Sequence, residues 1–269
     1  MLVAHRPMRT SRSPLLAAFF ALALATTASA SDKLIALTFD DGPRPYVLFG
    51  TENPQPTPGL LSVLDHQQVK ATFFYMGWRL TPKTWGDRRE PNIGMTCLDA
   101  ARQVLKNGHE IENHTYTHLD LRIEAKKKGD AAALEDVDHG ARVIEALTGS
   151  KPRYLRPPDW DLPPDLRAQL EAKGYRIMTI SSENPVALRD VNSLDYLCAG
   201  KHPTQCPKPS LSAAVLKQIE AREKKGVTTH ILTFHELSTT TPEIDELITE
   251  LKARGYKFVR LDEYMQRVK

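Results

Sequence analysis

Cysteine is scarce in this chain. Only Cys97, Cys198 and Cys206 occur in 269 residues, and no two stand in a C-x-x-C arrangement. That spacing argues against a thiolate zinc site. Aromatic residues make up 7% of the chain and no basic cluster is interleaved with them, so nucleic-acid binding finds no support. The short run Lys126-Lys127-Lys128 reads as a solvated helix end. After residue 30 no segment is long and apolar enough to span a bilayer. There is also no internal repeat, low-complexity tract or interdomain linker.

The first thirty residues are of a different kind. Arg6, Arg9 and Arg12 precede an apolar run from Leu15 to Ala25, and Ala28-Ser29-Ala30 follows with small residues in an A-x-A pattern. This predicts a secretory signal peptide over residues 1–30, cleaved after Ala30, and an exported domain over 31–269, periplasmic or secreted. The apolar run is short for an uncleaved anchor. Cleavage removes three arginines and no acid, so the formal charge of +3 falls to about zero and says nothing of partners. Export permits disulfides. Cys198 and Cys206 bracket a loop of suitable length, which leaves Cys97 as a buried thiol.

The composition, 41% hydrophobic and 26% charged, suits a globular protein with a sizeable core. Strand-like and helix-like segments alternate along it. Strands are expected near 33–39, 69–75, 109–112, 153–155, 175–180, 229–234 and 257–260. Helices are expected near 57–64, 98–107, 131–147, 164–173, 210–225 and 242–254, with Thr57 as a cap. Alternation of this kind predicts an α/β fold with mostly parallel strands. Asp40, Asp41, His114, Arg156 and His235 fall at or just past the C-terminal ends of these strands. A β/α barrel and a doubly wound sheet both gather residues there.

Asp40-Asp41 ends an apolar strand and is followed by Gly42-Pro43. Adjacent carboxylates repel each other unless a metal or an arginine neutralises them. His114 and His118 stand at i, i+4, which on a helical turn puts both imidazoles on one face. An aspartate from another strand would complete a three-ligand site with a position open for water. Two surface histidines in a polar loop would read the same way, and the other strand-end residues weigh against that. One aspartate can bind the metal while the other acts as general base, with Arg156 holding it ionised and His235 donating a proton to a leaving group.

These stretches together resemble the polysaccharide deacetylases, the NodB-homology proteins of carbohydrate esterase family four. The matching residues are Thr38-Phe39-Asp40-Asp41-Gly42-Pro43, Ala71-Thr72-Phe73-Phe74, Asn113-His114-Thr115-Tyr116-Thr117-His118, Arg156-Pro157-Pro158 and Ile231-Leu232-Thr233-Phe234-His235-Glu236. The resemblance implies a distorted (β/α) barrel and a metal-dependent deacetylase acting on an acetylated glycan. It implies Asp41, His114 and His118 as ligands of a divalent metal, usually zinc. It implies Asp40 as base, positioned by Arg156, and His235 as acid. A backbone N–H in the turn Arg156-Pro157-Pro158-Asp159 would share in stabilising the oxyanion.

The chain also departs from the family pattern. Asp159 and Trp160 follow Pro158 where an aromatic residue and glycine are usual, and Thr233 stands where leucine often lines the acetyl pocket. Pro158, Asp159, Trp160, Thr233 and Phe234 are therefore the expected substrate contacts. The family's aspartate that pairs with the arginine has no clear counterpart, and Glu183 and Asp190 are the two candidates. The alternatives to a deacetylase are a catalytically impaired glycan-binding protein on the same fold, or an O-acetyl xylan-type esterase.

Overall fold

The computed structural model describes residues 1, 33–51, 56–90, 93–179, 190–199 and 203–268. Residues 2–30 of the expected signal peptide, and Glu183, lie outside the described residues. Among the described residues no helix is long and apolar enough to cross a membrane.

Eight strands form one parallel sheet: β1 (Leu34–Gly42), β2 (Thr72–Tyr75), β3 (Glu110–Asn113), β4 (Tyr154–Leu155), β5 (Arg176–Ile177), β6 (Asp190–Asn192), β7 (Thr229–His235) and β8 (Lys257–Val259). Their spatial order is β5-β4-β3-β2-β1-β7-β6. β1 is central. One edge pairs with β7 from Leu34 to Asp40, while the other is shared between β8 at Leu34–Ala36 and β2 from Thr38 onward. The sheet curls into a barrel that stays open between β5 and β6 among the described residues.

The alternation of β1 decides what faces where, because successive side chains of a strand point to opposite faces. Ile35, Leu37 and Phe39 belong to the main core beneath the helices, together with Phe73, Leu232 and Phe234. Burying one such phenylalanine is worth about 1.5–3 kcal/mol. Leu34 and Ala36 face a second cluster with Phe74, Tyr154, Ile231 and Val259. The terminal helix Leu261–Arg267 adds Leu261 and Tyr264 to it. The next residues on that inner face of β1 are Thr38 and Asp40, both buried. The barrel interior is thus apolar at one end and polar at the C-terminal ends of its strands.

One local expectation changes, and one helix joins those expected, in keeping with the reading of the lysine run as a helix end. Thr57 does not cap a helix. It pairs in a short antiparallel ribbon, Gly50–Thr51 against Thr57–Pro58, where its hydroxyl accepts from the Thr51 N–H at 3.2 Å. The helix starts at Leu60 instead. A helix over Leu121–Lys128 also appears, capped by the Asp120 side chain, with Lys126, Lys127 and Lys128 as its last turn.

Candidate metal and acid-base site

Asp40 and Asp41 would point to opposite faces in a regular strand. They do not, because the register of β1 against β2 slips between Asp40 and Gly42. Asp41 is the extra residue of this bulge, with φ at 71°. Bulges re-aim side chains in this way. A left-handed backbone at a non-glycine residue costs about 1–3 kcal/mol, which the surroundings must offset.

The two carboxylates then take different partners. Asp40 accepts a hydrogen bond from Arg156 Nη1 at 2.6 Å, and both side chains are buried. The same nitrogen donates to Thr38 Oγ1 at 2.9 Å, and the guanidinium lies 4.1 Å from the centre of the Phe74 ring. Asp41 Oδ1 sits 3.0 Å from His118 Nε2 and 3.4 Å from His114 Nε2. Burial alone would raise the Asp41 pKa, but its contacts with His114 and His118 outweigh that and hold it well below the usual carboxylate range. Arg44 Nη2 stands 3.6 Å from the other oxygen, Oδ2.

His114 and His118 are not on a helical turn. They bracket an irregular turn after β3 with left-handed φ at Thr115 and His118. Asn113 builds it: its Oδ1 accepts from the Thr115 N–H at 2.9 Å, and its Nδ2 donates to the Val137 carbonyl at 3.0 Å. The Gly77 N–H donates to the Thr115 carbonyl at 3.0 Å. His114 Nδ1 lies 2.6 Å from the Arg156 carbonyl. A carbonyl only accepts, so Nδ1 carries a proton, and Nε2 is the ring atom turned toward Asp41 and His118.

The residues fit a divalent metal. Three ligand atoms, one each from Asp41, His114 and His118, lie within 4.8 Å of one another. Asp41 Oδ1 is buried without a well-formed hydrogen bond, and the Arg156 carbonyl engages His114 Nδ1, which leaves Nε2 as the atom available to a ligand. Two imidazoles and a carboxylate suit zinc and several other divalent ions.

The turn depends on a close helix approach. In the helix Asp130–Thr148, a Cβ at Gly140 would lie 2.7 Å from Asn113 Oδ1 and 2.7 Å from the Thr115 carbonyl carbon. Gly140→Ala is therefore expected to destabilise the fold by about 1–3 kcal/mol, read as a lowered thermal midpoint. An unchanged midpoint would show that the turn moves aside freely.

His235 ends β7 across from this group, and its partner was not expected. Asp195, fully buried, accepts from His235 Nδ1 at 2.7 Å, from the His235 N–H at 2.8 Å and from Thr240 Oγ1 at 2.7 Å. Burial alone would lower the His235 pKa, but the Asp195 hydrogen bond and charge outweigh it, holding the imidazole at about 9. Tyr196, exposed, sets its ring 5.6 Å from His235, edge to face. The signal in the sequence was an acid followed by an aromatic, Asp195-Tyr196, in a stretch without clear periodicity. Cys198, whose N–H donates to the Asp195 carbonyl at 2.8 Å, is joined by a disulfide to Cys206. Cys97 is a buried free thiol.

Other expected site residues fall as follows. Asp190 does not hydrogen-bond to Arg156. It accepts from Thr233 Oγ1 at 3.1 Å, and burial pushes it up to about 6 against the nearby Arg156 charge. Arg156 Nε and Nη2 are buried without partners among the described residues. Phe234 does not reach the substrate side: it alternates away from Thr233 and His235 into the main core, 6.1 Å from Phe39. Thr233 shares the inner face with His235 but spends its hydroxyl on Asp190. Pro158 is buried, Asp159 exposed and Trp160 half-buried, in a short turn with left-handed φ at Asp159 and Trp160. The Trp160 ring lies 5.0 Å from the Arg156 guanidinium.

The polysaccharide deacetylase family model matches residues 27–178, and the chain belongs to that family. A peptidoglycan-N-acetylglucosamine deacetylase of Bacillus cereus is 26% identical over 88% of this chain and 90% of its own length. A chitin deacetylase of Colletotrichum lindemuthianum is 26% identical over 86% of this chain and 78% of its own. Among solved structures, a CE4 family pseudoenzyme from Bacillus anthracis superimposes with a TM-score of 0.62. It is 21% identical and covers 87% of this chain and 66% of that one. That likeness speaks for the fold alone.

Proposed function

We propose that this protein is an exported, metal-dependent deacetylase that hydrolyses N-acetyl groups of a glycan. One observation carries the reading: the Asp41, His114 and His118 ligand atoms converge beside an aspartate held by arginine and across from a histidine held by aspartate. A divalent metal at Asp41, His114 and His118, zinc by preference, would polarise water and the acetyl carbonyl. Asp40, fixed by Arg156, takes the proton of the attacking water. His235, kept protonated by Asp195, gives a proton to the leaving nitrogen. In this reading the Asp159 backbone N–H donates to the developing oxyanion. Acetate and a free amine leave. Tyr196 and Trp160 offer aromatic surface to the sugar. The names of the two relatives support peptidoglycan or chitin-type N-acetylglucosamine glycans as substrates, and the arginine-rich, acid-free start of the chain supports export.

Chelation tests this directly. Acetate release from N-acetylated oligosaccharides is expected to fall by about a hundredfold or more on metal removal, since such ions supply several kcal/mol of barrier lowering, and to return with added zinc. Release that is indifferent to chelator would sink the metal-dependent reading. No release in any metal, with glycan still bound, would favour the glycan-binding alternative. Faster cleavage of acetyl esters than of acetamides would favour the xylan-type esterase.

A further inference from the structure

We propose that Glu236 is a positioning residue that clamps the turn carrying Asp40 and Asp41 and thereby sets the geometry of the metal ligands and the base. The inference rests on the deacetylase reading above. Glu236 directly follows His235 and is fully buried. Its backbone N–H donates to the Asp40 carbonyl at 3.0 Å. Its Oε2 accepts from the Arg44 N–H at 2.6 Å. One residue thus grips the chain on both sides of Asp41, the position held in the left-handed region.

The carboxyl group lies against the turn. A Cβ at Gly42 would fall 2.3 Å from Glu236 Oε1 and 2.3 Å from the Tyr75 ring, so only glycine leaves room for this contact. The Tyr75 hydroxyl adjoins the same carboxylate. Arg79 Nη1 adds a donor to the Pro43 carbonyl at 3.3 Å. Burying a carboxylate costs several kcal/mol unless hydrogen bonds replace its hydration. An apolar residue would fill this part of the core at less cost. What the carboxylate supplies is an acceptor for an amide in the strained turn, and strained backbone persists only where its surroundings over-determine it. Because His235 donates its own N–H to Asp195 while Glu236 holds Asp40 and Arg44, acid and base loops are tied through two consecutive residues.

The test compares the native protein with Glu236→Leu and Glu236→Gln. Three quantities are read: the zinc dissociation constant by competition with a chromophoric chelator, kcat and KM for acetate release, and hydrogen exchange at the Arg44 amide. Glu236→Leu is expected to weaken zinc binding and lower kcat by about tenfold or more each, with KM little changed. Glu236→Gln keeps an oxygen for the Arg44 N–H and recovers most of both losses. In the native protein the Arg44 amide is expected to exchange slowly. Native zinc affinity and kcat in a folded Glu236→Leu protein would overturn the proposal. So would a lowered melting temperature with an unmoved zinc constant. Exchange of the native Arg44 amide at the rate of an open loop would overturn it too, whether or not the leucine variant folds. If the native protein binds zinc but releases no acetate, the deacetylase reading fails, and zinc affinity and exchange still decide the clamp.

Discussion

Asp40→Asn is expected to lower the rate of acetate release by about a hundredfold or more while leaving the metal bound, since a positioned general base contributes about 10²–10⁴-fold. The amide has the carboxylate's shape and can still lie against Arg156, but it cannot take a proton. The proposed metal ligands are untouched, because the bulge sends Asp41 to His114 and His118 while Asp40 stays on the inner face with Arg156. The change also leaves Arg156 buried without its ionic partner, and breaking such a pair costs about 3–5 kcal/mol. Rates should therefore be read well below the variant's own melting temperature, alongside metal content by elemental analysis. Activity within tenfold of native, or loss of metal together with loss of rate, would remove Asp40 from the role of base.

Asp195→Asn is expected to move the alkaline limb of the pH–rate profile. In the proposed role of acid, His235 acts only while protonated. With Asp195 beside it the imidazole titrates at about 9, so activity persists to that pH and declines above it. Without the Asp195 charge, burial is opposed only by the charges of Asp40 and Asp41, and the imidazole falls toward its ordinary value of about 6.5. At pH 8 the protonated fraction then falls by up to about thirtyfold, while at pH 5.5 the two proteins differ little. A profile whose alkaline limb stays near 9 would show that another group is the acid. The same pair has a stability signature. Folding raises the imidazole above its unfolded value, so the pair's contribution is complete below about pH 6.5 and is lost as pH rises through 9. Asp195→Asn should flatten the stability profile across that window in denaturant titrations.

Much of the fold was legible in the sequence for a local reason. Alternating strand and helix segments imply parallel strands, and Ile35, Leu37 and Phe39 alternate with Leu34, Ala36 and Thr38 as a strand buried on two faces requires. The types of the site residues were legible as well, since Asp40, Asp41, His114, Arg156 and His235 stand at or just past strand ends whatever the tertiary detail, with His118 four residues beyond His114. Their directions were not. A helical turn explains the spacing of His114 and His118, yet an Asn113-built turn with two left-handed residues does the work, because its carbonyls are anchored by Gly77 and a helix packed through Gly140. Asp195 carries no periodic pattern, and it matters only because it meets His235 forty residues away. Arg156 finds Asp40 across 116 residues.

The sequence by itself determined which chemical groups the C-terminal ends of the strands carry. That follows from strand period and apolar patterning, both set within a few residues. Only the tertiary structure decided which aspartate faces the histidines, which pairs with the arginine, and which acid serves His235. A bulge, a left-handed φ and a distant partner each turn a side chain by more than local sequence specifies. The adjacent carboxylates of Asp40 and Asp41 escape mutual repulsion because the bulge gives each its own partner of opposite charge or donor character.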